Sequence, residues 1–162
     1  MKTDKPFDTK TSLKVLKSLF YEYKNKTRHG HPSWNNIKPG MIMLYRYDAK
    51  DKTKIFDKYP LTLILHKKGD YMLGVNLHWI EIHSRIRFVT ALIKSNTDRT
   101  GKFHYPLRFD YKQLVPLLKH SAYRNCVRLY IKKKVTSVGI IIEPIHLMDV
   151  ARMKLAQFVK PK

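Results

Sequence analysis

Between residues 38 and 77 three apolar runs are joined by turn chemistry, and that arrangement constrains the fold more than any other feature of the chain. Lys38, Pro39 and Gly40 make a turn that opens a run at 41–47, whose Met, Ile, Leu and Tyr content is that of a strand. Residues 60–66 and 71–77 are two further strands, joined by Lys67-Lys68-Gly69-Asp70, a hairpin turn. Residues 48–58 alternate in charge and read as a solvated loop. Strands joined this tightly pair as an antiparallel meander. Strong bending would make of it a small barrel-like sheet of the Src-homology-3-like kind.

Helical periodicity flanks this sheet. Residues 1–10 read as a flexible lead-in; then Thr11 or Ser12 offers an N-cap, and Leu13, Leu16, Phe20 and Tyr23 recur at helical spacing. Residues 25–34 are polar and extended. Ile82, Ile86, Val89 and Ile93 mark one face of a second helix that ends near Asn96. A basic loop follows at 97–109, then a short helical stretch at 111–119 that Pro116 interrupts. Residues 121–134 carry a clearer helical pattern, 138–143 a last strand, and 144–162 fit strand and helix equally. The expected class is α+β: a single domain at 38–162, preceded by a basic N-terminal helix and arm at 1–37.

The sequence holds 33 Lys plus Arg against 12 Asp plus Glu, a formal net charge of +21. Such an excess adds nothing to a fold and costs self-repulsion, so it points to an anionic partner. Nucleic acid comes first, ahead of an anionic membrane surface or an acidic protein. An apolar content of 43% is enough for a core and excludes a disordered basic tail. There is no run of about 18 apolar residues to span a bilayer, and no secretory signal is expected. Cys126, the single cysteine, excludes an internal disulfide and reads as a small buried side chain.

The basic residues suggest where such a partner would bind. On a helix over 121–134, Tyr123, Cys126, Val127, Tyr130 and Ile131 face the core, while Arg124, Arg128 and Lys132 form a stripe at i, i+4, i+8. Lys132, Lys133 and Lys134 would sit at the negative end of its dipole. No acid lies between Asp110 and Glu143, so nothing local is there to pair with the stripe. Lys102 and Arg108 extend the basic region; Arg46 and Lys50 flank the entrance of the sheet, and Lys14 and Lys17 line the first helix. Tyr105, Phe109, Tyr111, Tyr123 and Tyr130 interleave with these charges and fit core positions better than exposed base-stacking platforms.

Catalytic chemistry is poorly supported. His29 and His31 stand close together, but no carboxylate or cysteine follows at ligand spacing, and His78 and His83 suit neither one helix face nor one strand face. Asp48, Asp51 and Asp57 are the one close group of acids, and solvation in a lysine-rich loop accounts for them. No Gly-x-Ser-x-Gly or comparable nucleophile context occurs. The expectation is a non-enzyme with no cofactor, no metal and no small-molecule substrate.

The runs KPGMIMLYRYDAK at 38–50, FDKYPLTLIL at 56–65 and MLGVNLHWI at 72–80 resemble the DNA end protector family of T-even-like phages. The likeness continues through YRNCVRLY at 123–130 and VGIIIEP at 138–144. The chain departs from that pattern in its longer basic arm and in His78-Trp79, where the family element carries His-Tyr. The resemblance implies a bacteriophage virion structural protein that binds packaged DNA non-specifically, at or near the genome end in the head or neck. DNA and other virion proteins would then be its partners, the virion its location, and the host cytoplasm its place during assembly. A ribosomal-type RNA-binding protein, a small metal-dependent phage nuclease and a purely architectural virion protein are the alternatives. Within the family element, Gly74 permits close backbone approach, and Asn76 and His78 are placed to hydrogen-bond neighbouring loops.

Overall fold

The computed structural model of the protein describes residues 5–26, 34–49, 54–110, 112, 114, 126–136, 139–154 and 158–160. The first helix, α1 (Thr9–Lys26), starts a turn earlier than its sequence suggests, because Asp8 supplies the cap: its Oδ1 accepts the Thr11 N–H at 2.6 Å. Ser12, expected as a cap, is buried instead, and its hydroxyl accepts the Lys154 N–H at 3.0 Å. The helix accordingly buries Ser12, Val15, Leu16 and Leu19, leaving Leu13 and Phe20 in solvent. Ahead of it, residues 5–8 are tied down rather than trailing: the Phe7 N–H donates to Arg152 O at 2.9 Å, and the Arg152 guanidinium covers the Phe7 ring.

A five-stranded antiparallel sheet forms the centre. Its strands are β1 (Ile42–Leu44), β3 (Leu61–Lys68), β4 (Tyr71–Asn76), β5 (Val127–Ile131) and β6 (Ile140–Ile141), in the order β5-β4-β3-β1-β6. β2 (Phe56–Asp57) and β7 (Phe158–Val159) make a separate two-stranded ribbon. The expected meander is present, and Gly69 at φ 55° turns the β3–β4 hairpin. Among the described residues the sheet is open, with β5 and β6 at its edges, so a closed barrel is not formed.

Both faces of the sheet are covered, which is why residues 61–65 are buried without alternation. One face carries Ile42, Leu44, Leu61, Leu63 and Val75. It packs on α1, on α2 (Ile82–Ser95) and on the short α3 (Leu147–Arg152), through Leu19, Val89, Leu92, Leu147 and Val150. The other carries Met43, Tyr45, Ile64, Met72 and Tyr130, with Tyr47. There the rings of Tyr45 and Tyr47 meet Tyr130 edge to face at 5.5 and 5.0 Å. Gly74 sits where a Cβ would collide with Thr62 Cγ2, so the close approach expected of it is real.

Two elements differ from expectation. Residues 127–131 are the edge strand β5, not part of a helix. Val127, Tyr130 and Ile131 are β-formers, and β4 offers a full ladder from Tyr71↔Ile131 to Val75↔Val127. Residues 144–162, open between helix and strand, contain both: α3 and β7. Most of the 111–119 stretch lies outside the described residues.

Candidate nucleic-acid interface

The electrostatics follow from where the acids go. Asp8 caps α1; Glu81 caps α2, accepting the His83 and Ser84 N–H groups at 3.0 Å each; Asp98 Oδ1 accepts those of Thr100 and Lys102 at 2.9 and 3.0 Å; and Asp110 accepts that of Lys112 at 2.9 Å. These bonds favour the ionised form. The Thr11 N–H holds the Asp8 carboxyl below its usual value, and the His83 N–H does the same for Glu81. The Thr100 hydroxyl, followed by the Lys102 N–H, brings Asp98 to about 2. These four carboxylates are thus engaged by backbone N–H groups.

Asp57 overturns the reading of its loop. It is 5% exposed and accepts hydrogen bonds from the Tyr59 N–H at 3.0 Å and Asn76 Nδ2 at 3.2 Å. A third contact joins its Oδ2 to His78 Nδ1 at 2.6 Å. Burial in this network, not solvation, explains the carboxylate, and Asn76 and His78 do bond a neighbouring loop as expected. Asp48 lies elsewhere, 3.8 Å from Lys134 Nζ. Asp51, His29 and His31 are outside the described residues. Among the described residues no three His, Cys, Asp or Glu side chains gather closely enough to hold a metal ion. Cys126 is buried, and burial pushes its thiol up to about 11, where it is inert at neutral pH.

The expected basic residues separate into groups. Lys132, Lys133 and Lys134 form a one-turn 3-10 helix directly after β5. The Lys132 N–H donates to Asp70 O at 2.9 Å, which sets that turn beside the β3–β4 hairpin. Partial burial, and then the charge of Lys132, hold the Lys67 amine below its usual pKa. Lys67 Nζ donates to Trp34 O at 2.7 Å, and Trp34 Nε1 donates to Gly69 O at 2.8 Å. From the other side, the Thr136 N–H donates to Arg46 O at 3.0 Å. Lys67, Lys68 and the triple lysine thus gather at the hairpin end of the sheet, while Arg46 lies past the other end of the β1–β3 ladder, beyond Leu44↔Leu61. Lys67 and Lys68 went unnoticed in the sequence because the KKGD run reads only as a turn.

The expected absence of pairing acids is corrected by the fold, which brings Asp70 to 3.9 Å from Lys132 and Asp48 to 3.8 Å from Lys134. Loose, partly exposed pairs of this kind are worth at most about 1 kcal/mol each, so the cluster keeps its cationic character. The helical stripe does not exist as such. Arg124 and Lys50 lie outside the described residues. Arg128 and Lys132 are separated by strand rise, about 13 Å over four residues rather than 6 Å. Lys102 and Arg108 are exposed on the loop after α2, where Asn96 clamps the Arg108 peptide, its Oδ1 accepting the N–H at 2.6 Å. Lys14 and Lys17 are exposed on α1, in the helix layer across the sheet. Of the interleaved aromatics, Tyr130 is buried, Phe109 packs on the core, and Tyr105 accepts the Ile42 N–H through its hydroxyl; Tyr111 and Tyr123 are outside the described residues.

Arg128 belongs to a different feature. Its guanidinium lies 4.5 Å from the centroid of the Trp79 ring, and Phe158 meets the same indole at 4.8 Å. Beside them a cleft of about 270 Å³ opens between β5 and residues 54–57.

An open-sheet α+β domain with cations massed at one end of the sheet is the class these features define. Over residues 8–162 the chain matches the family described as Phage T4 terminal DNA protecting protein, and it belongs to that family. No curated protein and no solved structure matches it. No helix among the described residues is long and apolar enough to cross a membrane.

Proposed function

We propose that this protein binds the ends of phage DNA as a virion component, through sequence-independent phosphate contacts and without catalysis. One observation carries the reading: in a family named for protecting terminal DNA, Lys67, Lys68 and Lys132–Lys134 converge at the hairpin end of the sheet, where Asp70 and Asp48 pair only loosely with Lys132 and Lys134. Phosphate is the group that such a surface fits, because it offers charge without fixed donor geometry. The exposed cations of α1, Lys14 and Lys17, and of the 97–109 loop, Lys102 and Arg108, add a second surface, and other virion proteins are the further partners. Position at the genome end in the head or neck, after assembly in the host cytoplasm, follows from the same reading. The sheet is read as Src-homology-3-like on three supports: its strand order, the 3-10 turn between β5 and β6, and the Tyr47–Val135 bridge that draws the ends of β1 and β5 together.

A binding titration with linear duplex at three salt concentrations tests it. About five phosphates neutralised give a slope near −4.5 in log affinity against log salt, so affinity falls roughly five hundredfold from 50 to 200 mM. The DNA stays intact throughout in Mg²⁺ buffer. A flat salt response contradicts the phosphate reading, and cleavage contradicts the absence of catalysis.

A further inference from the structure

Phosphate contacts are the same at every step of a duplex and carry no information about where it stops. A protein that protects ends needs a feature that only an end can satisfy. The cleft at the β5 edge has the chemistry for one. Its wall is the Trp79 indole with Arg128 over it, its rim carries the exposed side chains of Ile55 and Leu129, and Lys54 stands at its mouth. Asp57, Asn76 and Tyr130 line it as well. The Asp57 carboxylate already accepts from Tyr59, Asn76 and His78, so it has little left to offer a ligand. Tyr130 is no freer: it is 4% exposed, and its hydroxyl is buried among Tyr45, Thr62 and Asn76 on the inner side of the sheet.

A stacking surface of indole and guanidinium, an apolar rim and a cation outside together suit a flat heteroaromatic ring that carries an anion. That is a nucleotide. The volume lies at the small end of ligand sites and fits one nucleotide rather than a strand. Interior bases are held between two stacked neighbours, whereas a terminal base is stacked on one side only and costs least to draw out. We propose that this cleft receives the terminal nucleotide of a DNA end, its base against Trp79 and Arg128 and its phosphate at Lys54. The inference rests on the end-binding reading above and supplies the means by which an end is told from interior duplex.

Lys54→Gln is the informative variant, because it removes only the exposed cation at the mouth; Trp79→Ala removes the wall. The full chain is mixed with a duplex carrying 2-aminopurine at its terminal position, or with one carrying it inside. Affinity for the linear duplex is compared with that for a relaxed closed circle of the same sequence. The terminal probe is expected to change fluorescence at least about twofold more than the interior one. Lys54→Gln is expected to melt no lower than the parent, to weaken the terminal signal and to lower affinity for the linear duplex about threefold to tenfold more than for the circle. Equal responses from terminal and interior probes, or full end preference in both variants, overturn the cleft while leaving end binding intact. A parent protein that binds circle and linear duplex alike overturns the end-binding reading itself.

Discussion

His78 and Asp57 meet at 2.6 Å, imidazole Nδ1 to carboxylate Oδ2, with both side chains almost wholly buried. This contact joins the β2 segment to the end of β4, and the same carboxylate holds Asn76 Nδ2 and the Tyr59 N–H. Asp57→Ala orphans all three donors in the interior and is expected to cost about 3 kcal/mol, read as a lower urea midpoint at unchanged m-value. An unaltered midpoint would mean that the network adds nothing to the fold.

Gly40 and Gly69 both have positive φ, at 88° and 55°, but their surroundings differ. A Cβ at Gly40 would run into the Leu107 backbone, whereas nothing lies within 4 Å of one at Gly69. Gly40→Ala is therefore expected to destabilise by at least about 2 kcal/mol, and Gly69→Asn by less than about 1 kcal/mol, because Asn tolerates the left-handed region. Thermal unfolding of the two variants checks the order.

The 98–104 loop should be acid-labile by itself. The Asp98 carboxyl is brought from 3.8 to about 2 in the folded chain by Thr100 and Lys102. A depressed folded value means that its contribution is complete above about pH 4 and is lost as pH falls towards 2. Amide exchange at Thr100 and Lys102, corrected for intrinsic rate, is expected to stay constant from pH 7 to about 5 and to rise below about pH 4. A rise already at pH 6 would mean that a group other than the Asp98 carboxyl governs the loop.

Much of the scaffold can be read from residue order. The β3–β4 hairpin follows from a glycine turn between apolar runs, and α2 from Ile86, Val89 and its neighbours at helical spacing. β5 was misread for a definite reason: residues 128 and 132 differ by four, which returns to the same side on a helix and also on a strand. Parity kept Arg128 and Tyr130 together on one face of β5, where Arg128 lies over Trp79. The buried face of α1 runs through Ser12, Val15, Leu16 and Leu19, one residue off the Leu13–Leu16–Phe20 stripe, because Ser12 Oγ accepts the Lys154 N–H and so faces the core. The cleft was invisible because residues 54–57, Trp79 and β5 are distant in sequence and meet only through the sheet.

The two basic surfaces should not be equivalent. Lys68→Glu, Lys132→Glu and Lys133→Glu together remove up to three phosphate contacts, so the salt slope should become shallower by about 2.7. Lys14→Glu with Lys17→Glu is expected to change it less, since those residues lie on the helix layer. The reverse order would move the working surface to α1.

Protection of linear duplex against a processive exonuclease tests the central claim most directly. With the full chain present at low salt, the duplex is expected to survive many times longer than without it. That protection should fall away at 200 mM salt and in the Lys68, Lys132 and Lys133 charge-reversal variant. Degradation at the same rate with and without the protein, under conditions where it is folded and bound to duplex, would contradict the account.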